Sequence, residues 1–426
     1  MACLSWAGPA SADPVTDWNV IATNAIGAGA RPGPAGILDF AMVHAAMHDA
    51  VQAFERRFKP YHVHISDASG SPAVAVAKAA HDVLAARFPA QAMALHGIYD
   101  AYLASHLLPI NDPGELVGQQ AAAGILALRA NDGSFPLPPP IFNGGTGAGE
   151  WRPTLPAFAP MAAAWLGAVE PFTKKFSEQF RGQPPPPLTS REYARADNEV
   201  KALGSLNSTT RTPEQTELSY FYSDNLLVLW ERTLRGIADA HLTRLGDSAR
   251  LFALANLAVA DAIITAWDSK LFFNFWRPIT AIREGDNDGN PRTAGDAAWL
   301  PLIATPPYSD YTSGANNLSG SITTILARFF ESDKMTFSVT TFAPLAVQKT
   351  RTYHRFSDAA DDMVDVRIYQ GIHFRFADTA ARRQGTRVAN QAFRHFLRPV
   401  HERDHDHDDD CDDDDGDHDR GHDRDQ

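Results

Sequence analysis

The chain has 426 residues, 44% apolar and 21% charged, with a formal net charge of −13. That length and apolar share bury an ample core without staples, and the acidity excludes the basic face that nucleic-acid binding needs. No stretch of about eighteen or more uncharged apolar residues marks a membrane span. The two cysteines, Cys3 and Cys411, sit in terminal segments, so no internal disulfide holds the core.

In chain order, Met1 to Ala12 is small and apolar and ends Ala10-Ser11-Ala12. Residues 1–12 read as a signal-peptide remnant lacking its basic region, which points to a periplasmic or secreted protein. Helical spacing of apolar residues then runs over Ile37 to Phe58, Ala73 to Phe88, Met93 to Leu108 and Pro113 to Arg129. A long Pro/Gly segment from Asn131 to Pro160, and a second Pro run at Pro184 to Pro187, read as a functional stretch or a crossover between subassemblies. Helical patterns resume at Thr212 to Leu227, Leu229 to Leu245 and Ser248 through Arg277. No strand pairs, repeats or Gly-rich phosphate loops are evident. The predicted fold is all-α, a single domain over 13–400 built of bundled helices. From 401 to 426 the chain carries thirteen Asp, one Glu and three Arg, a net of −11 that leaves the body near −2. Five of the sixteen histidines lie there too, so this segment reads as a disordered, solubilising Asp/His tail able to collect divalent cations.

The chemistry concentrates in Lys270-Leu-Phe-Phe-Asn-Phe-Trp-Arg277-Pro278. Two cations about two helical turns apart would project from nearly one face, amid aromatic side chains where burial demands an anion. Pro278 would end that helix and leave the Arg277 fork free. Downstream come Ser313-Gly314, before a helix-like run from Leu318 to Phe330, and Arg367-Ile-Tyr-Gln-Gly-Ile-His373. These three blocks, in this order, resemble the vanadium-dependent haloperoxidases and the related type 2 phosphatidic acid phosphatases. Val43-His-Ala-Ala-Met-His-Asp-Ala, Trp151-Arg-Pro-Thr, Gln179-Phe-Arg, Leu188-Thr-Ser and Arg211-Thr-Pro-Glu-Gln-Thr resemble segments of bacterial members, so the likeness covers about Asp17 to Pro399.

The resemblance implies two helical bundles with an oxyanion site inside 260–398, and vanadate, or phosphate in the same site, as the cofactor. Lys270, Arg277, Ser313, Gly314 and Arg367 match the oxyanion-binding positions, and His373 matches the residue that bonds vanadium or attacks phosphorus. Gly371 permits the chain break that would let Arg367 and His373 converge. One departure matters: the family's acid–base His after Ser-Gly is replaced by Ala315, which can transfer no proton. Candidate substitutes are Asp310, His354 and Asn316, and Asp378 is a candidate orienting carboxylate for His373. His44 and His48 have a zinc-compatible spacing but read as a packed helix face, and Trp230 reads as core. Asp286 to Asn290 resembles a partial calcium loop and reads as an exposed turn. Three function classes follow: a haloperoxidase oxidising halide with peroxide, a phosphomonoesterase with a phosphohistidine intermediate, and a non-catalytic oxyanion-binding protein. Expected partners are small molecules (peroxide, halide or a phosphate ester) and a second copy of the chain, with no nucleic acid and no membrane span.

Overall fold

Periodic stretches rich in Ala and Leu fold as helices in a computed structural model that describes residues 13–400. The signal-like residues 1–12 and the acidic tail 401–426 lie outside the described residues. The N-terminal half opens with α1 (Pro14–Ala28), α2 (Gly36–Glu55), α3 (Pro72–Arg87), α4 (Ala92–Ser105) and α5 (Gly114–Leu128). Local chemistry starts two of these: Asp13 and Ser71 accept from the amides of Val15 and Val74, and Pro occupies the first turn of each helix. After the irregular middle come α6 (Arg191–Leu203), α7 (Pro213–Phe221), α8 (Leu226–His241), α9 (Leu245–Phe273) and α10 (Pro278–Arg283). The chain then forms α11 (Gly314–Phe329), a hairpin of β1 (Lys334–Thr340) and β2 (Thr350–Arg355), α12 (Phe356–Tyr369) and α13 (Arg375–His395).

Helix α9 is the axis, packed by α2 on one side and by α11 and α13 on the other. By length and composition it could cross a membrane, yet 94% of its most apolar stretch is buried inside the protein, which makes it the core helix. Asp261, halfway along it, is fully buried and accepts from the amides of Phe172 and Thr173 and from the Thr173 hydroxyl. A buried carboxylate is tolerated when its lone pairs meet donors, so Asp261 clamps the irregular middle region onto α9. The Pro/Gly segment is anchored likewise: Trp151 N–H donates to Asn274 O at 2.7 Å, and Trp276 N–H donates to Gly149 O at 2.9 Å. The segment therefore satisfies the main chain leading to Arg277.

Four expectations are corrected. The predicted Thr212–Leu227 helix is split, because Asn225 caps α8 by accepting from Leu227 and Val228 N–H, and Asn favours caps over helix interiors. The predicted helix through Arg277 stops at Phe273. A strand pair does exist: β1 and β2 are antiparallel, burying Phe337, Val339 and Tyr353 while Thr and Ser face outward. The fold is otherwise helical, as expected. Trp230 is core, and His44 and His48 are packed side chains, with His44 Nε2 2.8 Å from Asn19 Nδ2 and His48 Nε2 3.2 Å from Lys59 O. The Asp286–Asn290 turn closes on itself, since Asp288 accepts from Asn290 N–H and Thr293 Oγ1, and Asp288 and Asn290 are buried rather than exposed.

Candidate active site

Four distant segments meet at the C-terminal end of α9. Lys270 and Arg277 do not share a helix face: Asn274 caps α9 in the left-handed conformation (φ 45°), and Arg277 is extended ahead of Pro278, which opens α10. The break turns both cations inward, where each is 0% exposed. Lys270 Nζ donates to the carbonyls of Ser309 at 2.6 Å and Asp310 at 3.0 Å. Arg277 donates through Nε to Tyr308 O at 2.6 Å and through Nη1 to Ile372 O at 2.7 Å. The Tyr308 ring lies 5.0 Å from Lys270 Nζ and 4.7 Å from Arg277 Cζ, giving both cations an aromatic face.

Helix α11 begins at Gly314, earlier than its apolar run implies, because Ser313 caps it and accepts from Asn316 N–H at 3.4 Å. A Cβ at position 314 would press on the Trp267 ring at 3.1 Å, so glycine lets this helix start approach α9. On the other wall, α12 ends at Tyr369 and Gly371 takes φ 77°, the break that brings Arg367 and His373 together. Arg367 Nη1 donates to Gln370 Oε1 at 2.9 Å.

His373 is 3% exposed, with Nδ1 2.7 Å from Asp310 Oδ1 and Nε2 3.1 Å from Arg277 Nη1. Arg277 Nη1 also lies 3.4 Å from Nδ1; an arginine can only donate, so its shorter contact assigns the lone pair to Nε2, which leaves the Nδ1 proton on the side of Asp310. Burial, and then the charges of Arg277, Lys270 and Arg367, hold His373 well below the ordinary histidine pKa. Burial pushes Asp310 up to about 7, with Arg277 and Lys270 pulling it back. The carboxylate orienting His373 is thus Asp310. Asp378, expected in that role, bonds Asn316 Nδ2 instead, at 2.7 Å. Of the other candidate acids, His354 is exposed on β2 and bonds Thr336, away from the pocket. Asn316 sits behind Ser313, and Ala315 presents its side chain to the cavity.

The cavity measures about 360 Å³ and is lined on one side by Gly314, Ala315, Arg367 and His373. Trp267 and the Asp224–Asn225 loop between α7 and α8 also line it. Helical periodicity concealed that loop; the polar pair interrupting a Leu-rich run was its only signal. Arg277 Nη2 and Arg367 Nε are buried with no hydrogen-bond partner among the described residues. Burial lowers the pKa of Lys270, Arg277 and Arg367 alike, the mark of cations desolvated without full compensation. Three buried cations, two of them with unspent donors, a helix start and a neutral imidazole fit a multiply charged tetrahedral oxyanion such as vanadate or phosphate.

Fold and site together define a helical-bundle protein with a buried cationic pocket built around one neutral imidazole. Residues 250–402, the stretch that holds every cradle residue, match the VCPO second helical-bundle domain. The vanadium chloroperoxidase of Curvularia inaequalis is 29% identical over 280 residues, covering 49% of this chain and 45% of that enzyme. The chain therefore spans less than half the length of that relative. A bacterial vanadium-dependent iodoperoxidase superposes with a TM-score of 0.78 at 21% identity, covering 91% of this chain and 97% of that one. A holo-type bacterial vanadium-dependent chloroperoxidase gives 0.67 at 16% identity, with 91% and 93% coverage. At those identities the two structures bear on the fold.

Proposed function

We propose that the pocket binds vanadate and that the chain oxidises halide with hydrogen peroxide, releasing hypohalous acid. The observation carrying this is the convergence of the His373 Nε2 lone pair with the unpartnered Arg277 and Arg367 donors on one site. His373 Nε2 would ligate vanadium, and Asp310 at Nδ1 would hold the ring and its tautomer. Arg277, Arg367 and Lys270 would offset the oxyanion charge, while Ser313 Oγ and the Gly314 N–H would donate to its oxygens. Bound vanadate would polarise hydrogen peroxide so that halide can attack it. Pocket walls of Trp267 and Tyr308 would keep bulk water from the cradle.

The test adds orthovanadate, peroxide and bromide to purified protein and follows bromination of a phenolic dye. The expected result is vanadate-dependent bromination that disappears in His373→Ala. Phosphate-ester cleavage by the vanadate-free sample, inhibited by vanadate, would replace this function with a phosphomonoesterase. Vanadate binding with neither activity would leave an oxyanion-binding protein.

A further inference from the structure

Asp378 is a second buried carboxyl in the cradle, in the first turn of α13 and 0% exposed. Its Oδ1 accepts from Asn316 Nδ2 at 2.7 Å. Its Oδ2 is buried and makes no hydrogen bond of good geometry, although the Ser313 hydroxyl lies close enough to stabilise its charge. Every element around it contributes a charged or polar group: Lys270 from α9, Arg277 and Asp310 from the flanking segments, Ser313 and Asn316 from α11, and Arg367 from α12. His373 completes the ring of titratable groups around the cradle.

Two ionised carboxyls beside a bound dianion would crowd like charges into a desolvated space, which favours protonating one of them. Asp310 has Oδ1 2.7 Å from His373 Nδ1, an ion-pair contact that ties it to the imidazole, although neither of its oxygens makes a hydrogen bond of good geometry. Asp378 has one oxygen fixed by an amide donor and the other free to carry a proton. Burial pushes its pKa well above the ordinary carboxylate range; Asp310 adds to this, while Ser313, Arg367 and Asn316 oppose it. The Ser313 hydroxyl, which neighbours this carboxyl, can accept one proton while donating another.

We propose that Asp378 is the proton donor of this site, protonated on Oδ2 and relaying its proton to a bound oxyanion through the Ser313 hydroxyl. The Asp378 O–H bond breaks as a new O–H bond forms at Ser313 Oγ, and the proton originally on Ser313 moves to an oxyanion oxygen. Asp378 is left as a carboxylate facing Arg367, and water returns the proton afterwards. The proposal rests on the pocket being an oxyanion cradle, but not on halide chemistry.

Sulfate, a tetrahedral dianion that does not titrate near neutrality, tests it by calorimetry. Wild-type affinity should fall about tenfold per pH unit once pH exceeds the Asp378 pKa. Asp378→Asn, permanently neutral with the same shape, should lose that one-proton slope and bind more than about tenfold tighter at alkaline pH. Equal slopes in both proteins would overturn the proposal. A wild type that binds neither sulfate nor vanadate would instead overturn the cradle itself. In the bromination assay, Asp378→Asn should cut the rate about a hundredfold with vanadate affinity retained, and Ala315→His in that background should restore part of it. An unchanged rate would refute the relay. Should Asp378→Asn fail to fold, Ser313→Ala, which cuts the relay and leaves the acid in place, should show the same rate loss, and its absence would be equally decisive.

Discussion

Gly371→Ala perturbs the one backbone position that joins the fold to the imidazole. Gly371 has φ 77°, and a Cβ there would lie 2.4 Å from Gly204 O and 2.9 Å from Pro301 Cβ. Gly204 is equally confined, since its own Cβ would meet Gly371 Cα at 2.4 Å, so the end of α12 and the end of α6 pack main chain to main chain. A left-handed alanine costs about 1–2 kcal/mol, and relieving overlap with a neighbouring backbone about 1–3 kcal/mol more. Reduced freedom of the unfolded chain returns about 0.4–1 kcal/mol, leaving a net loss of about 1–5 kcal/mol. His373 lies two residues further on, so the shift also misplaces Nε2, and displacements of about 1 Å can cost about a hundredfold in rate. Thermal melts without added oxyanion, paired with vanadate titrations, measure both effects. A variant that melts with the wild type and binds vanadate equally well would refute the reasoning.

Arg277→Lys keeps the charge but cannot reach Tyr308 O, Ile372 O and the oxyanion together, so vanadate affinity should fall about tenfold to a hundredfold in equilibrium titrations. Asp261→Ala strips the acceptor from Phe172 N–H, Thr173 N–H and Thr173 Oγ1; chemical denaturation should show a loss of about 3 kcal/mol or more, with faster proteolysis in the Pro-rich region. Asp310 has a folded pKa of about 7 against 3.8 for the ordinary carboxyl, so its ionised form costs stability in full above pH 7, and that cost fades as pH falls toward 4. Asp310→Asn should remove this acid-side gain. The stability difference between variant and wild type, measured by denaturation at several pH values, should therefore shift in favour of the wild type on acidification.

Much of the scaffold was legible because its causes are local. Ala- and Leu-rich periodicity placed α2 to α5, and proline and glycine marked the breaks at 278 and 371. The hairpin escaped because Thr-rich alternation over a few residues is a weak signal beside long helical runs. Helix α6 is polar on the whole, its buried face being the short row Tyr193, Ala196 and Val200, and it is held by contacts with α10, α12 and α13. At the site, Lys270, Arg277, Ser313, Gly314, Arg367 and His373 could be named from their blocks. Their convergence could not be deduced from spacing: the helix expected to align Lys270 with Arg277 ends between them, and the break achieves what the helix would not. The partner of His373 was likewise out of reach, because Asp310 and Asp378 are both plausible by type and only packing brings Asp310 to Nδ1.

The amino-acid order alone determined where most helices form and which side chains can carry charge or a proton, since capping, φ restriction and periodicity act within a turn or two of chain. Only the tertiary structure decided which of those groups lose their water together. Desolvation depends on what distant segments cover, and it is that shared burial at the end of α9 which leaves two guanidiniums with unspent donors, one histidine neutral and two carboxyls raised.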